Sequence, residues 1–300
     1  MKSNQILIVL LCAGLLLSAK AAEHLSDHEE FCLQQPAIPC LQLLQQALEQ
    51  TQLHTFQWFK LQSYRLDYLY VHHQFRQLYD ESNQLLKIGT APPALRTQLY
   101  FYQAKTLIAR GDEAQAAYFT DLASRQLDAM YQAFADPMRV LELANLQAVA
   151  GQYDKAWQLL LHAEQRFAKS RDPQFVFELN SNKALIRHAF EQLDDAAYYR
   201  KLALDAILSS GRHHDIIVAH GNLARTYQLL GKFGLAVDYY EKSLPFMRPS
   251  IDDLQQSIHR LRLSELYLAL QEPAKARGYL QQVDVAILGD QIVSVSKHAN

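Results

Sequence analysis

Residues 221–244 read GNLARTYQLLGKFGLAVDYYEKSL. Two apolar helical faces meet at Gly231, a residue that weakens a helix interior but suits a helix end, where it takes the left-handed conformation. The stretch therefore predicts two short helices in a hairpin. Small and aromatic residues recur through it as Leu223-Ala224, Tyr227, Gly231, Ala236, Tyr240 and Ser243. Whether this hairpin is unique or one of a series decides the fold.

It is one of a series. Forty residues toward the N-terminus the small positions return as Ala184, Ala196 and Ala203. A second shift gives Ala144, Gly151, Ala156 and Ala163, and a third gives Ala104, Gly111, Ala116 and Ala123. The same step forward gives Ser264, Ala276 and Val283, with Tyr267 echoing Tyr227. Self-similarity at a fixed period marks a repeat array. In each unit a small residue sits where two helices come closest, facing a larger one, so the pair packs tightly. Loops between units are expected near Asp136-Pro137, Asp172-Pro173, Gly211 and Pro249-Ser250, where breaker residues cluster.

These residues resemble the tetratricopeptide repeat family. The match is best at Leu223, Ala224, Tyr227, Gly231, Ala236 and Tyr240, and good at Leu143, Ala144, Gly151, Ala156 and Ala163. It weakens where Glu191 and Gln271 replace the turn glycine. The unit of about forty residues is longer than the family's usual repeat, so extended helices are expected. The resemblance spans residues 97–286 and implies an all-α fold, a right-handed α-solenoid of about five helical hairpins. Residues 22–96 are read as a helical N-terminal cap that covers the solenoid end. Phe75 and Tyr79 hint at a degenerate earlier repeat there, and residues 287–300 form a tail.

The first 21 residues have the order of a secretory signal peptide: Lys2, an apolar run from Ile6 to Leu17, then Ala19-Lys20-Ala21 as a small-x-small cleavage site. A retained anchor is disfavoured because the run is short for a bilayer. Lipidation of Cys12 is disfavoured because Leu11, not a small residue, precedes it. Cleavage leaves Cys32 and Cys40, which in an exported chain read as a disulfide. Their spacing is not that of a redox or metal motif. The formal charge of −2 provides no strong field for nucleic acid or an anionic membrane. A hydrophobic fraction of 49% is ample for a core. No further transmembrane stretch is expected.

Catalytic signatures such as G-x-S-x-G, H-E-x-x-H and G-x-x-x-x-G-K-[ST] are absent from the sequence. A non-enzymatic protein without cofactor or metal is expected. His213-His214-Asp215 and His72-His73 read as polar segments rather than metal sites, and Tyr198-Tyr199 and Tyr239-Tyr240 as core. Candidate ligand-binding residues lie on the first helices, which line the concave face of such an array. They are Lys105, Asn145, Asn182, Asn222, Arg225, Arg262 and Glu265. Asn182 and Asn222 are forty apart and Asn145 lies a turn further along its helix, which suggests an asparagine ladder against a peptide backbone. Arg225 and Arg262 could hold a carboxylate in a fork. Leu141 and Val218 stand where the family's carboxylate-gripping proteins would have basic residues.

The expected function is binding of a peptide or protein partner by an exported, periplasmic scaffold or receptor in an envelope complex. The alternative is a periplasmic sensory module signalling through a membrane-bound kinase or diguanylate cyclase.

Overall fold

A computed structural model describes residues 37–288 of the chain. Residues 1–21, read above as a signal peptide, Cys32 and residues 289–300 lie outside the described residues. The chain divides into two compact units between Leu78 and Tyr79.

In the first unit, α1 (Ala37–Gln50) packs on α2 (Phe56–Val71). The Thr55 hydroxyl accepts from the Trp58 backbone N–H at 3.2 Å, which satisfies a donor that α2 itself leaves open. Cys40, Leu44, Phe59, Leu61, Leu66 and Leu69 are buried. The third helix, α3 (Phe75–Leu86), crosses the division.

The second unit is a run of helix pairs. They are α4 (Pro93–Arg110) with α5 (Glu113–Phe134), α6 (Pro137–Val149) with α7 (Tyr153–Arg166), and α8 (Pro173–Ala189) with α9 (Leu193–Ile207). Then come α10 (His213–Leu229) with α11 (Phe233–Ser243), and α12 (Asp253–Ala269) with α13 (Pro273–Leu280). No strand occurs among the described residues, and no helix there is long and apolar enough to cross a membrane. First helices touch first helices of neighbouring hairpins, as α4 with α6 and α6 with α8. The alanines that mark the repeat are where the helices close on one another. Ala104, Ala144, Ala184 and Ala224 on the first helices, and Ala116, Ala156, Ala196, Ala236 and Ala276 on the second, are all buried.

The period is written into the turns. In every hairpin a backbone N–H just past the turn reaches the carbonyl five residues back: Asp112 to Leu107, Gln152 to Gln147, Gln192 to Arg187, Lys232 to Tyr227 and Glu272 to Tyr267, at 2.8–3.0 Å. This is the Schellman closure, and the residue before each donor must be left-handed. Gly111, Gly151 and Gly231 take that conformation with φ of 75, 77 and 70°. Glu191 and Gln271 take it too, at 58 and 61°, so the turn survives without glycine and at a steric cost. Replacing either residue with glycine should raise unfolding stability by about 1 kcal/mol. An unchanged or lower denaturant midpoint at constant slope would show that these positions are not strained.

Between hairpins, the Asp136 and Asp172 side chains accept from Met138 N at 2.9 Å and Gln174 N at 3.0 Å, and each is followed by a proline in the first turn. The tyrosine pairs divide rather than enter the core together. Tyr240 is buried and Tyr239 stacks half-buried on Tyr227 at 5.5 Å, but Tyr198 is 62% exposed. Adjacent helical residues point about 100° apart, so neighbouring tyrosines meet different surroundings.

Candidate functional site on the first-helix face

Three of the sequence-predicted residues meet one another. Lys105 Nζ donates to Asn145 Oδ1, Asn145 Nδ2 donates to Asn182 Oδ1 at 2.5 Å, and Asn182 Nδ2 reaches the Leu141 carbonyl at 3.4 Å. The side chains form a relay across α4, α6 and α8. Asn182 is only 2% exposed, so its amide is used between hairpins rather than offered to a ligand. Asn222 departs from the ladder: it is exposed, and its backbone carbonyl accepts from Arg200 at 2.9 Å. The forty-residue count relates positions in the fold. The neighbour that Asn145 touches lies thirty-seven residues on, a helical turn short of that count.

Two charged regions flank the relay. Toward the starts of the first helices lie Glu142, Glu178 and Asp215. Glu142 pairs with Arg139 at 2.6 Å and Asp215 with Arg212 at 2.6 Å. Glu178 accepts only from Gln174 Nε2, at 3.3 Å, and has no ion pair among the described residues. Burial, reinforced by the Asp215 and Glu142 carboxylates and partly offset by Lys105 and Arg212, pushes the Glu178 carboxyl up to about 7.

Toward the ends of the first helices the charge is positive. His188, Arg225 and Arg262 follow one another at steps of thirty-seven residues on α8, α10 and α12. Arg200, from α9, joins them by donating to the Asn222 carbonyl and the Thr226 hydroxyl. Arg262 pairs with Glu265 at 2.9 Å, whereas Arg225 donates to the neutral Gln228 at 2.9 Å. Neither Arg200 nor Arg225 has a carboxylate partner among the described residues. Burial lowers the Arg200 guanidinium to about 10. Arg225 is lowered by burial and then by Arg262, and His188 by burial and then by Arg200 and Arg225. Buried Arg187 Nε and His188 Nδ1 find no hydrogen-bond partner. The region thus holds the guanidinium groups of Arg200, Arg225 and Arg262 against the single carboxylate of Glu265, an arrangement with which an anion would pair.

Arg200, His188 and Glu178 were not among the residues picked from sequence. Arg200 lies on a second helix, outside a search of first helices. Stepping thirty-seven residues from Arg225 would have found His188 and Arg262 together. Lys183 was also missed, and with reason: at 2% exposure it is enclosed between the rings of Trp157 and Tyr199 and ends on Glu164 at 2.5 Å. In the histidine-rich segment, His213 Nδ1 meets the Phe246 carbonyl at 3.2 Å, and burial lowers the His214 pKa. No group of three metal-binding side chains occurs among the described residues.

Residues 175–248, covering α8 to α11, match the tetratricopeptide repeat family. No curated protein matches the chain. Among solved structures, a Rap protein complexed with competence and sporulation factor aligns with a TM-score of 0.59 at 13% identity, covering 85% of this chain and 81% of that one. BtubC (BKLC) from P. vanneervenii aligns with a TM-score of 0.51 at 17% identity, covering 71% of this chain and 88% of that one. The fold is therefore a helical repeat array like that of tetratricopeptide proteins. At these identities the likeness establishes the fold and leaves the ligand to the side chains.

Proposed function

We propose that the protein binds a peptide or protein segment on the face formed by its first helices, as a non-enzymatic scaffold or receptor. The observation that carries this reading is the pair of half-buried arginines, Arg200 and Arg225, left without a carboxylate beside His188 and Arg262. An acidic side chain or a terminal carboxylate would supply the missing anion. The Glu142–Glu178–Asp215 region would take an amine or basic side chain of the same segment, which gives the bound chain a direction. In the Rap complex named above, a repeat fold of this kind is complexed with competence and sporulation factor. The signal-peptide order of residues 1–21 supports export, and the disulfide bond made by Cys40 suits an oxidising compartment, with the periplasm and an envelope partner as the setting.

The test is a pull-down from envelope extract with residues 22–300 and with the double variant Arg200→Gln, Arg225→Gln, after circular dichroism has verified both folds. A charged hydrogen bond contributes about 1.5–3 kcal/mol, so the variant should lose at least about tenfold in affinity for the captured partner. Equal retention by both proteins would remove the arginine region from the site. A membrane kinase or cyclase as the captured partner would favour the sensory role. Mass spectrometry of the purified chain separately tests cleavage after Ala21 and the Cys32–Cys40 bond.

A further inference from the structure

The charge of the arginine region is larger than one carboxylate can balance. Four consecutive helices each bring one group to it: Arg200 from α9, Arg225 from α10, Tyr240 from α11 and Arg262 from α12. Burial pushes the Tyr240 phenol up to about 12, while Arg262, Arg225 and Arg200 pull it down and Glu265 pushes it up. Three guanidinium groups and one carboxylate therefore act on a single hydroxyl. Three cations against Glu265 leave two positive charges. His188, lowered by burial and by two of the arginines, adds none at pH 7.

One of these cations occupies a position that its neighbours fill with buried residues. Arg200 stands where the units before and after carry Leu160 and Tyr240, forty residues away on either side. A charge set there without a carboxylate is costly to the fold. Nη1 of Arg200 donates to the Asn222 carbonyl at 2.9 Å and to the Thr226 hydroxyl, and Nη1 of Arg225 donates to Gln228. Nε and Nη2 of both arginines bond nothing among the described residues, and neither does the Tyr240 hydroxyl. These five groups are not sealed inside the protein, as Arg187 Nε is, so they can reach a ligand from solvent.

The chemistry of that ligand follows from its charge and shape. A carboxylate or a phosphodiester carries one negative charge and would leave the region cationic. A phosphate monoester carries nearly two at pH 7, with three strong acceptor oxygens spread about phosphorus. That spread suits donors arriving from several helices, and guanidinium groups pair with phosphate oxygens through two N–H bonds at once. We propose that Arg200, Arg225, Tyr240 and Arg262 form a binding site for a phosphate dianion, free or as a monoester. The proposal rests on the reading of this region as an anion receptor and goes beyond the carboxylate considered there.

The probes are methyl phosphate, methyl sulfate, inorganic phosphate and acetate, titrated by calorimetry into chain 22–300 at pH 7.5. Methyl phosphate and methyl sulfate share one shape and differ by one charge. Methyl phosphate should bind saturably, with methyl sulfate and acetate at least about tenfold weaker. Inorganic phosphate tighter than methyl phosphate would assign the site to free phosphate, and the reverse order to an ester; both support the site. Arg225→Gln, which gives up only the bond to Gln228, should weaken methyl phosphate about tenfold. Tyr240→Phe should weaken it about fivefold. Because that hydroxyl bonds nothing in the fold, its melting temperature without ligand should be equal or higher. Circular dichroism verifies each fold first. Methyl sulfate as tight as methyl phosphate, no saturable binding, or unchanged affinity in either variant would overturn the proposal. Acetate as tight as methyl phosphate would overturn it too and leave the carboxylate reading standing, which the pull-down decides separately.

Discussion

Replacing Gly221 with alanine destabilises the protein by about 3 kcal/mol. A Cβ at this position on α10 would lie 2.6 Å from Nε2 and 3.0 Å from Cε1 of His259 on α12. The imidazole has no room to retreat. It is 6% exposed, its Nδ1 meets the Ser243 hydroxyl at 2.7 Å, and the Tyr240 ring stands edge-on at 4.9 Å. Overpacking of this kind costs about 1–3 kcal/mol, and displacing the ring also breaks a buried hydrogen bond. Alanine's better helix propensity returns about 1 kcal/mol. The check is a double-mutant cycle read by urea unfolding. In a His259→Ala background the same Gly221→Ala change should be neutral or stabilising, because the atoms it meets are gone. A loss below about 1 kcal/mol in the parent would show that α10 and α12 can separate.

Acid should weaken the protein through the same histidine and its neighbour. Burial lowers His259 to about 3, with His220 adding to the effect, and burial lowers His220 to about 4, with Lys242 adding and Asp238 opposing. Tyr239 and Phe246 also flank His220, the latter with its ring 6.0 Å away. Both imidazoles are neutral in the fold, whereas in the unfolded chain they take protons near pH 6.5. Below pH 6.5 the unfolded state therefore binds more protons, and stability falls until the folded-state values are passed near pH 3–4. Glu178 acts in the opposite sense. Its raised pKa stabilises the fold below the ordinary carboxylate value, and that contribution is lost as pH rises to about 7. From pH 7 to pH 4 these three groups together lower stability by about 3 kcal/mol, the two histidines outweighing one carboxylate. His259→Asn keeps a polar atom toward Ser243 without the titration, so its stability should fall less than the parent's over that interval. Parallel curves for the two proteins would exclude His259 as the source.

The hairpins were legible because their determinants are local and periodic. The alanines at 116, 156, 196, 236 and 276 and the glycines at 111, 151 and 231 each occupy a position that only small or left-handed residues serve well. Glu191 and Gln271 show that the pattern was more regular in backbone than in residue type, since both turns close identically without glycine. The site was legible only in outline. Periodicity placed Lys105, Asn145, Asn182, Arg225 and Arg262 on first helices, but whether a polar side chain turns outward or toward the next hairpin depends on how the helices stack. Asn182 turned inward for that reason.

The Lys105–Asn145–Asn182 relay has a consequence for how the array comes apart. In a linear stack each unit is held by its neighbours, so opening proceeds inward from whichever end is more loosely tied. Side-chain bonds stitch the first three hairpins together along α4, α6 and α8. The final hairpin is held by ring stacking of Tyr267 on Tyr279 and by the bonds of both phenols to Glu241. Glu241, the Ser243–His259 hydrogen bond and a shared apolar cluster thus fasten the last unit to the one before it, and opening is expected to begin at that end, with the stitched half following as a block.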